Sequence, residues 1–420
     1  MLDGVRILEV AMFAPDAVGM HLADLGAEVI KVEALGMGDP ARLLGVPIGD
    51  ESPASRRWNR GKHSVAIDLR TPEGAALFLD LVGQVDAVVE GMRPGSLERR
   101  GLSYERLVAA NPKLVYLCLS GWGEEGPYRD LGSHGLAFDA YAGLAPARTL
   151  DGRPARPDGH VWQGIEAAPL YGALAVVSAV LRARASGQPS YLEVSQADAG
   201  AVWNGWRLAY EASTAEPDAT DAGESAAQEE QRRALRAAAE GAGASGGDDL
   251  PGSDVRYQYY AASDGLVLLM ATETRFWENF CRGTGRTDLF ERWPGAPHAD
   301  HDYGNDALRN ELSRVFSERS RAEWVAFFIE HDVAGAPVYG PGETHVDPHF
   351  ASRGLWLDPD VHGMRTLGSP VRVAGRMAVT ERASPRVGAD TESTLRRLLG
   401  CDDARLAQLR ESGAIGGSNE

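Results

Sequence analysis

The sequence predicts an α/β chain: a large domain built on a parallel sheet, followed by a smaller mixed domain. Three observations carry this. The first thirty residues read strand, helix, strand; strands and helices go on alternating to about residue 200; and composition breaks sharply after residue 211 before strand-like text resumes at residue 257.

Val5, Ile7, Leu8 and Val10 form a short apolar run, as a strand buried on both faces would. Asp16 stands where the N-cap of a helix reaching about residue 25 belongs, and Gly26 where that helix stops. Val29, Ile30 and Val32 make the next strand, so the unit is β-α-β with an expected right-handed crossover. Residues 64–69 read as a strand. The stretch TPEGAALFLDLVGQ follows as a helix capped by Thr71, with Pro72 at its first position. Strands are expected at 86–90 and 114–119, with a helix at 103–111 between them. Residues 167–187, AAPLYGALAVVSAVLRARASG, are long, apolar and closed by arginines and a glycine, which favours a buried helix; residues 191–195 return to strand.

Ligands in open α/β sheets collect at the carboxyl ends of the strands, so residues 11–15 are expected near a site. That turn reads AMFAPDAVG rather than G-x-G-x-x-G, which argues against NAD or FAD. The organisation expected is a large-domain part over residues 1–212, an acidic and disordered insertion over 213–253 with one helix at 228–240, a smaller α+β domain over 254–350, and a segment 351–420 returning to the large domain. Within the smaller domain, YQYYAASDGLVLLMAT reads as a hairpin about Ser263-Asp264-Gly265, with helices at 275–283, 305–317 and 320–332. The last hundred residues read as strands, then helices at 391–399 and 403–412.

The 420 residues are 44% hydrophobic and 24% charged, an ordinary globular balance. A formal net charge of −18 argues against nucleic acid as a partner. Cys118, Cys281 and Cys401 are too far apart for a disulfide framework or a zinc motif, and His63, His160, His331, His345 and His349 have no ligand spacing, so no metal is expected. A reducing, cytoplasmic setting is the simplest, with no signal peptide and no run approaching the ~20 apolar residues of a membrane span.

In its blocks DLGAEVIKVE, GDPAR, NRGKHSVAIDLRTPEG, EGMRPGSLERRGL, NPKLVYLCLSGWGEEGPYRD, SGQPSYLEVS, RFWENFC and AGAPVYGPGETHVDPHFASRGL the chain resembles the class III CoA-transferases, which include formyl-CoA transferase, carnitine CoA-transferase and α-methylacyl-CoA racemase. The resemblance implies a Rossmann-like large domain, a smaller α+β domain and an interlocked homodimer. It also implies coenzyme A, carried as a substrate thioester. The nucleotide end would lie along Ala11, Met12, Phe13, Lys31, Arg42, Leu69, Arg70, Gly91, Met92, Arg93 and Arg99. Gly91-Met92 replaces the family's usual Asn-Phe.

In the transferases of this family an aspartate after a glycine attacks the thioester and forms a mixed anhydride. Counting back from SGQPS puts Ile165 at that position, with Glu166 beside it. Three outcomes follow: Glu166 stands in as the carboxylate, the pocket runs other chemistry, or the chain binds without transferring. A glutamate buried between Ile165 and Ala167 would be expected to have a raised pKa. The racemase branch exchanges an α-proton between a histidine and acidic groups, and by resemblance His134 and Glu273 fall at such positions, with Asp139 as an orienting partner for His134.

Overall fold

A computed structural model describes residues 1–214, 254–296 and 299–416. The acidic insertion expected at 213–253 lies almost wholly outside the described residues. They form two compact units, one of Met1–Leu208 with His349–Glu420, the other of Ala209–Pro348.

The first unit is built on six strands: β1 (Arg6–Ala11), β2 (Glu28–Glu33), β3 (Lys62–Ala66), β4 (Ala87–Gly91), β5 (Val115–Ser120) and, after the short hairpin of β6 (Arg148–Leu150) and β7 (Arg153–Ala155), β8 (Ser190–Ser195). They pair in the order β3-β2-β1-β4-β5-β8, parallel throughout. Strand order reverses between β1 and β4, and that switch point is where a crevice opens in such sheets.

Both faces are covered, as a parallel sheet requires. On one face Leu8, Val10, Ile30, Val32, Val88 and Tyr116 pack under α3 (Pro72–Val82) and α4 (Tyr104–Ala110) and the closing helices Thr391–Leu399 and Asp403–Glu411. On the other, Ile7, Val29, Val89, Leu117 and Leu119 meet α1 (Ala17–Asp24) and α6 (Gly164–Ser186). Thr71 caps α3 as expected, its hydroxyl accepting the Gly74 N–H at 3.0 Å, with Pro72 in the first turn.

Three readings need correction. Asp16 precedes α1 but makes no side-chain cap; its backbone is already helical and its carboxyl turns inward to Lys31. The strands expected in the last hundred residues shrink to two-residue pairs, such as Trp356–Leu357 with Thr366–Leu367. And α6, at 23 residues and with an 18-residue stretch of mean hydropathy 1.6, is long and apolar enough to cross a membrane, although 56% of that stretch is buried in the unit. Short helices α2 (Pro53–Asn59), α5 (Leu136–Tyr141) and α7 (Gln196–Trp203) carry no amphipathic run long enough to be read from sequence.

The second unit holds a three-stranded antiparallel sheet of β9 (Tyr257–Ala262), β10 (Gly265–Met270) and β11 (Gly335–Val338), with the hairpin turn at the expected Ser263-Asp264. Its core is aromatic: Trp277, Phe280, Phe316, Trp324 and Phe327 pack together from the helices Thr274–Gly283, Asp306–Ser317 and Arg321–Glu330.

Candidate active site

A cleft of about 400 Å³ opens at the carboxyl ends of β1 to β4. Val10, Ala11 and Met12 line it from β1, Val32 to Leu35 and Asp39 from β2, Ile67 to Arg70 from β3, and Met92 and Arg100 from β4. The expected coenzyme A residues Ala11, Met12, Leu69, Arg70 and Met92 are thus gathered at one crevice. Arg70 is largely exposed, forked only onto neighbouring Asp68, and Arg93 and Arg99 are exposed on the loop after β4. These three guanidiniums are accessible to phosphate oxygens.

Three expected contacts turn out otherwise. Arg42 is committed to Glu33 at 2.8 Å and Glu51 at 3.1 Å, so its fork is occupied inside the protein. Lys31 is fully buried between two carboxylates. Gly91 is buried and lines nothing; a Cβ there would come 2.5 Å from Pro15 and 2.7 Å from Ala11, so its role is to let the turn after β1 close over β4.

Beneath the cleft lies a layer of buried charge. Lys31 Nζ is 2.5 Å from Asp16 Oδ1 and 2.7 Å from Asp39 Oδ2. Lys62 pairs with Glu9 and donates to the Asp16 carbonyl at 2.7 Å. Burial drives the Asp16 carboxyl well above the usual carboxylate range, and Lys31 does not offset it. Burial acts on Asp39 in the same sense, but Lys31 and its hydrogen bonds prevail and hold it below that range. The two carboxyls are thus pushed in opposite directions, Asp16 toward its neutral form and Asp39 toward its charged form.

The turn after β1 leads from the cleft to the start of α6. Phe13 is partly buried against a cluster of Ala14, Met20, Trp58, Phe138 and Ile165, and its ring meets that of His134 edge-on at 6.3 Å. His134 is exposed on the loop before α5. Ile165, at the position of the family's aspartate, is 6% exposed and wholly engaged in this cluster.

Glu166 differs from expectation. It is not buried: its side chain is 40% exposed on the first turn of α6 and is gripped by the Arg57 guanidinium, Nη1 at 2.6 Å and Nη2 at 2.9 Å from its two oxygens. Burial alone therefore does not describe its environment. Asp139 orients His160, not His134. Fully buried, it accepts from His160 Nε2 at 2.8 Å and from the backbone N–H groups of Gln163 and Gly164 at 3.1 and 2.7 Å, capping α6 from another helix. Glu273 is exposed in the second unit, where the Thr272 hydroxyl donates to it at 2.9 Å.

Arg57 and His160 carried no readable signal. Arg57 meets a partner 109 positions away and His160 one 21 away, and no short motif spans such distances. Among the described residues no cluster suited to a metal ion occurs, and all three cysteines are free thiols.

Residues 2–391 match the description CoA-transferase family III. The chain belongs to that family. As a family III member it is 28% identical to a succinyl-CoA–D-citramalate CoA-transferase of Chloroflexus aurantiacus, over 99% of this chain and 98% of that protein. It is 26% identical to the human succinyl-CoA:glutarate CoA-transferase, over 99% and 90% of the two chains. In fold it resembles the crystal structure of a CaiB/BaiF family protein from Brucella suis, with a TM-score of 0.72 and 25% identity, covering 94% of this chain and 99% of that one. CoA-transferases use CoA thioesters as substrates.

Proposed function

We propose that the protein transfers coenzyme A between an acyl-CoA and a carboxylic acid acceptor, and that Glu166 is the carboxylate that does so. The observation that carries this is the pairing at the start of α6. Ile165 is packed away, Asp139 is buried under three donors, and Glu166 beside them is part-exposed and held by Arg57. A carboxylate in the first turn of a helix is favoured by the helix dipole, and the guanidinium fork fixes its plane.

In the proposed course a Glu166 oxygen adds to the thioester carbonyl. Arg57 stabilises the charge on the resulting oxyanion, and the C–S bond breaks to leave a glutamyl-acyl anhydride and CoA thiolate. The thiolate then attacks the glutamyl carbonyl, releasing the first acid as its carboxylate and leaving Glu166 as a CoA thioester. The acceptor carboxylate reverses the two steps, so no proton need be gained or lost overall. The named relatives handle succinyl, citramalate and glutarate groups, which supports a dicarboxylic acyl class here.

Glu166→Gln tests the assignment. Exchange of labelled succinate into succinyl-CoA should fall roughly 10⁴-fold while affinity for CoA is retained. Exchange that survives in this variant contradicts it. A second reading is favoured by the burial of Ile165: a homologue that binds CoA without transfer, for which the wild type itself shows no exchange. α-Proton exchange in heavy water, lost in His134→Ala, would point to isomerisation instead.

We further propose a homodimer in the cytoplasm. The free thiols fit a reducing compartment. Leu170, Leu174 and Leu181 are exposed along one side of α6, and Val202, Trp203 and Trp206 are exposed farther along the chain, and a partner subunit would cover such apolar surface. Sedimentation should give twice the chain mass.

A further inference from the structure

Phe13 has φ 62 and ψ −138, a backbone conformation that a residue with a side chain holds only under constraint. The constraint is visible. The Phe13 N–H donates to Asp39 Oδ1 at 3.3 Å, and the Phe13 carbonyl accepts the Asp16 N–H at 3.0 Å. Lys31 donates to the Ala11 carbonyl at 3.2 Å while resting against both carboxylates. Asp39 is fixed in turn by its own N–H to Glu33 at 3.1 Å and by the Ala41 N–H at 2.7 Å. The three charged side chains are at most 1% exposed.

Two acids around one lysine is an unfavourable way to fill a core, since apolar residues of like volume do as well or better for stability. Every hydrogen bond the group directs at the turn ends on Ala11 or Phe13. Ala11 and Met12 line the cleft, and Phe13 packs on the cluster that contains Ile165. The buried group therefore controls the stretch of chain that joins the cleft to Glu166.

We infer that Asp39, Lys31 and Asp16 are positioning residues that lock the strained turn Ala11-Met12-Phe13, and that the locked turn sets how the thioester of coenzyme A lies against the start of α6. The inference rests on the reading of the cleft as a coenzyme A site. Asp39 acts as an ionised acceptor. Asp16 meets the turn through its backbone N–H, and its carboxyl, which burial pushes toward the neutral form, makes no hydrogen bond to the turn.

The two acids should therefore respond differently to the same change. Asp39→Asn removes the negative charge and one of the two acceptor oxygens, so an amide N–H₂ must face either Lys31 or the Phe13 and Ala41 N–H groups; CoA affinity by calorimetry and KM for an acyl-CoA should both worsen by about tenfold or more, with kcat changed far less. Asp16→Asn keeps the backbone N–H that bonds Phe13 and should leave affinity and KM near the wild-type values. Equal affinity in wild type and Asp39→Asn overturns the inference, as does equal damage from the two variants. Phe13→Gly is a variant that leaves the buried charges intact, and it should stay folded. It should lose affinity as Asp39→Asn does, because glycine holds no fixed shape there, and unchanged affinity in it overturns the inference even if Asp39→Asn does not fold. A wild type that binds no CoA overturns both the inference and the reading beneath it, whereas binding that persists in Glu166→Gln without exchange leaves the inference intact.

Discussion

The first unit holds two charged assemblies, and they are built on opposite principles. Lys31 with Asp16 and Asp39 is sealed from water and held from several directions. Glu166 with Arg57 is a single fork at the surface of the first unit, open on one side. In a low-dielectric interior an ion pair that loses one member leaves an uncompensated charge, so such a group fixes geometry. At a part-exposed site the pair adds little stability, and its members are free to exchange partners. On the proposed function the first assembly belongs to the scaffold and the second to the chemistry, although a count of charges would rank them alike.

The difference can be pressed by substitution. Lys31→Met strands the Asp39 carboxylate and should lower unfolding free energy by about 3–5 kcal/mol in a denaturant titration. A loss comparable to that of an exposed pair would erase the contrast. Arg57→Met should behave in the opposite way. Its effect on stability should stay within about 1 kcal/mol, because the pair is more than a third exposed and solvent screens it. Turnover should nonetheless fall roughly 10²- to 10³-fold, as for loss of an oxyanion donor.

The smallest effect concerns pH. Asp16 has a folded pKa raised by burial, so the folded chain keeps a proton that the unfolded chain releases above about pH 4. Wild-type stability therefore carries a component that falls as pH rises from there toward the folded value. Asp16→Asn has no proton to lose, so its melting temperature relative to the wild type should climb between pH 4 and pH 8. A constant difference across that range would mean Asp16 is ionised in the fold.

The same contrast explains what the sequence revealed. Apolar alternation in β1 and β2, and the Thr71-Pro72 start of α3, are local properties and could be read directly. So could the carboxyl end of β1 as the place where a cleft opens, since sheet topology dictates it. Asp16 was misread as a cap because an acid before a helix has that appearance; only the fold shows Lys31 beneath it. Arg42 looked like a phosphate ligand until Glu33 and Glu51 were seen to hold it. Glu166 could be picked out as the neighbour of Ile165, but Arg57 could not, because nothing in ASRRWNRGK announces a partner on α6. Residues were legible where their partners are near in sequence, and illegible where tertiary structure supplies them.

On the proposed function, Glu166 forms a covalent bond to acyl or CoA groups. Hydroxylamine added with succinyl-CoA, followed by peptide mapping, tests it most directly. A hydroxamate on Glu166 that appears only with the thioester, and not in Glu166→Gln, is the predicted result. Steady exchange of CoA with an unmodified Glu166 would contradict it.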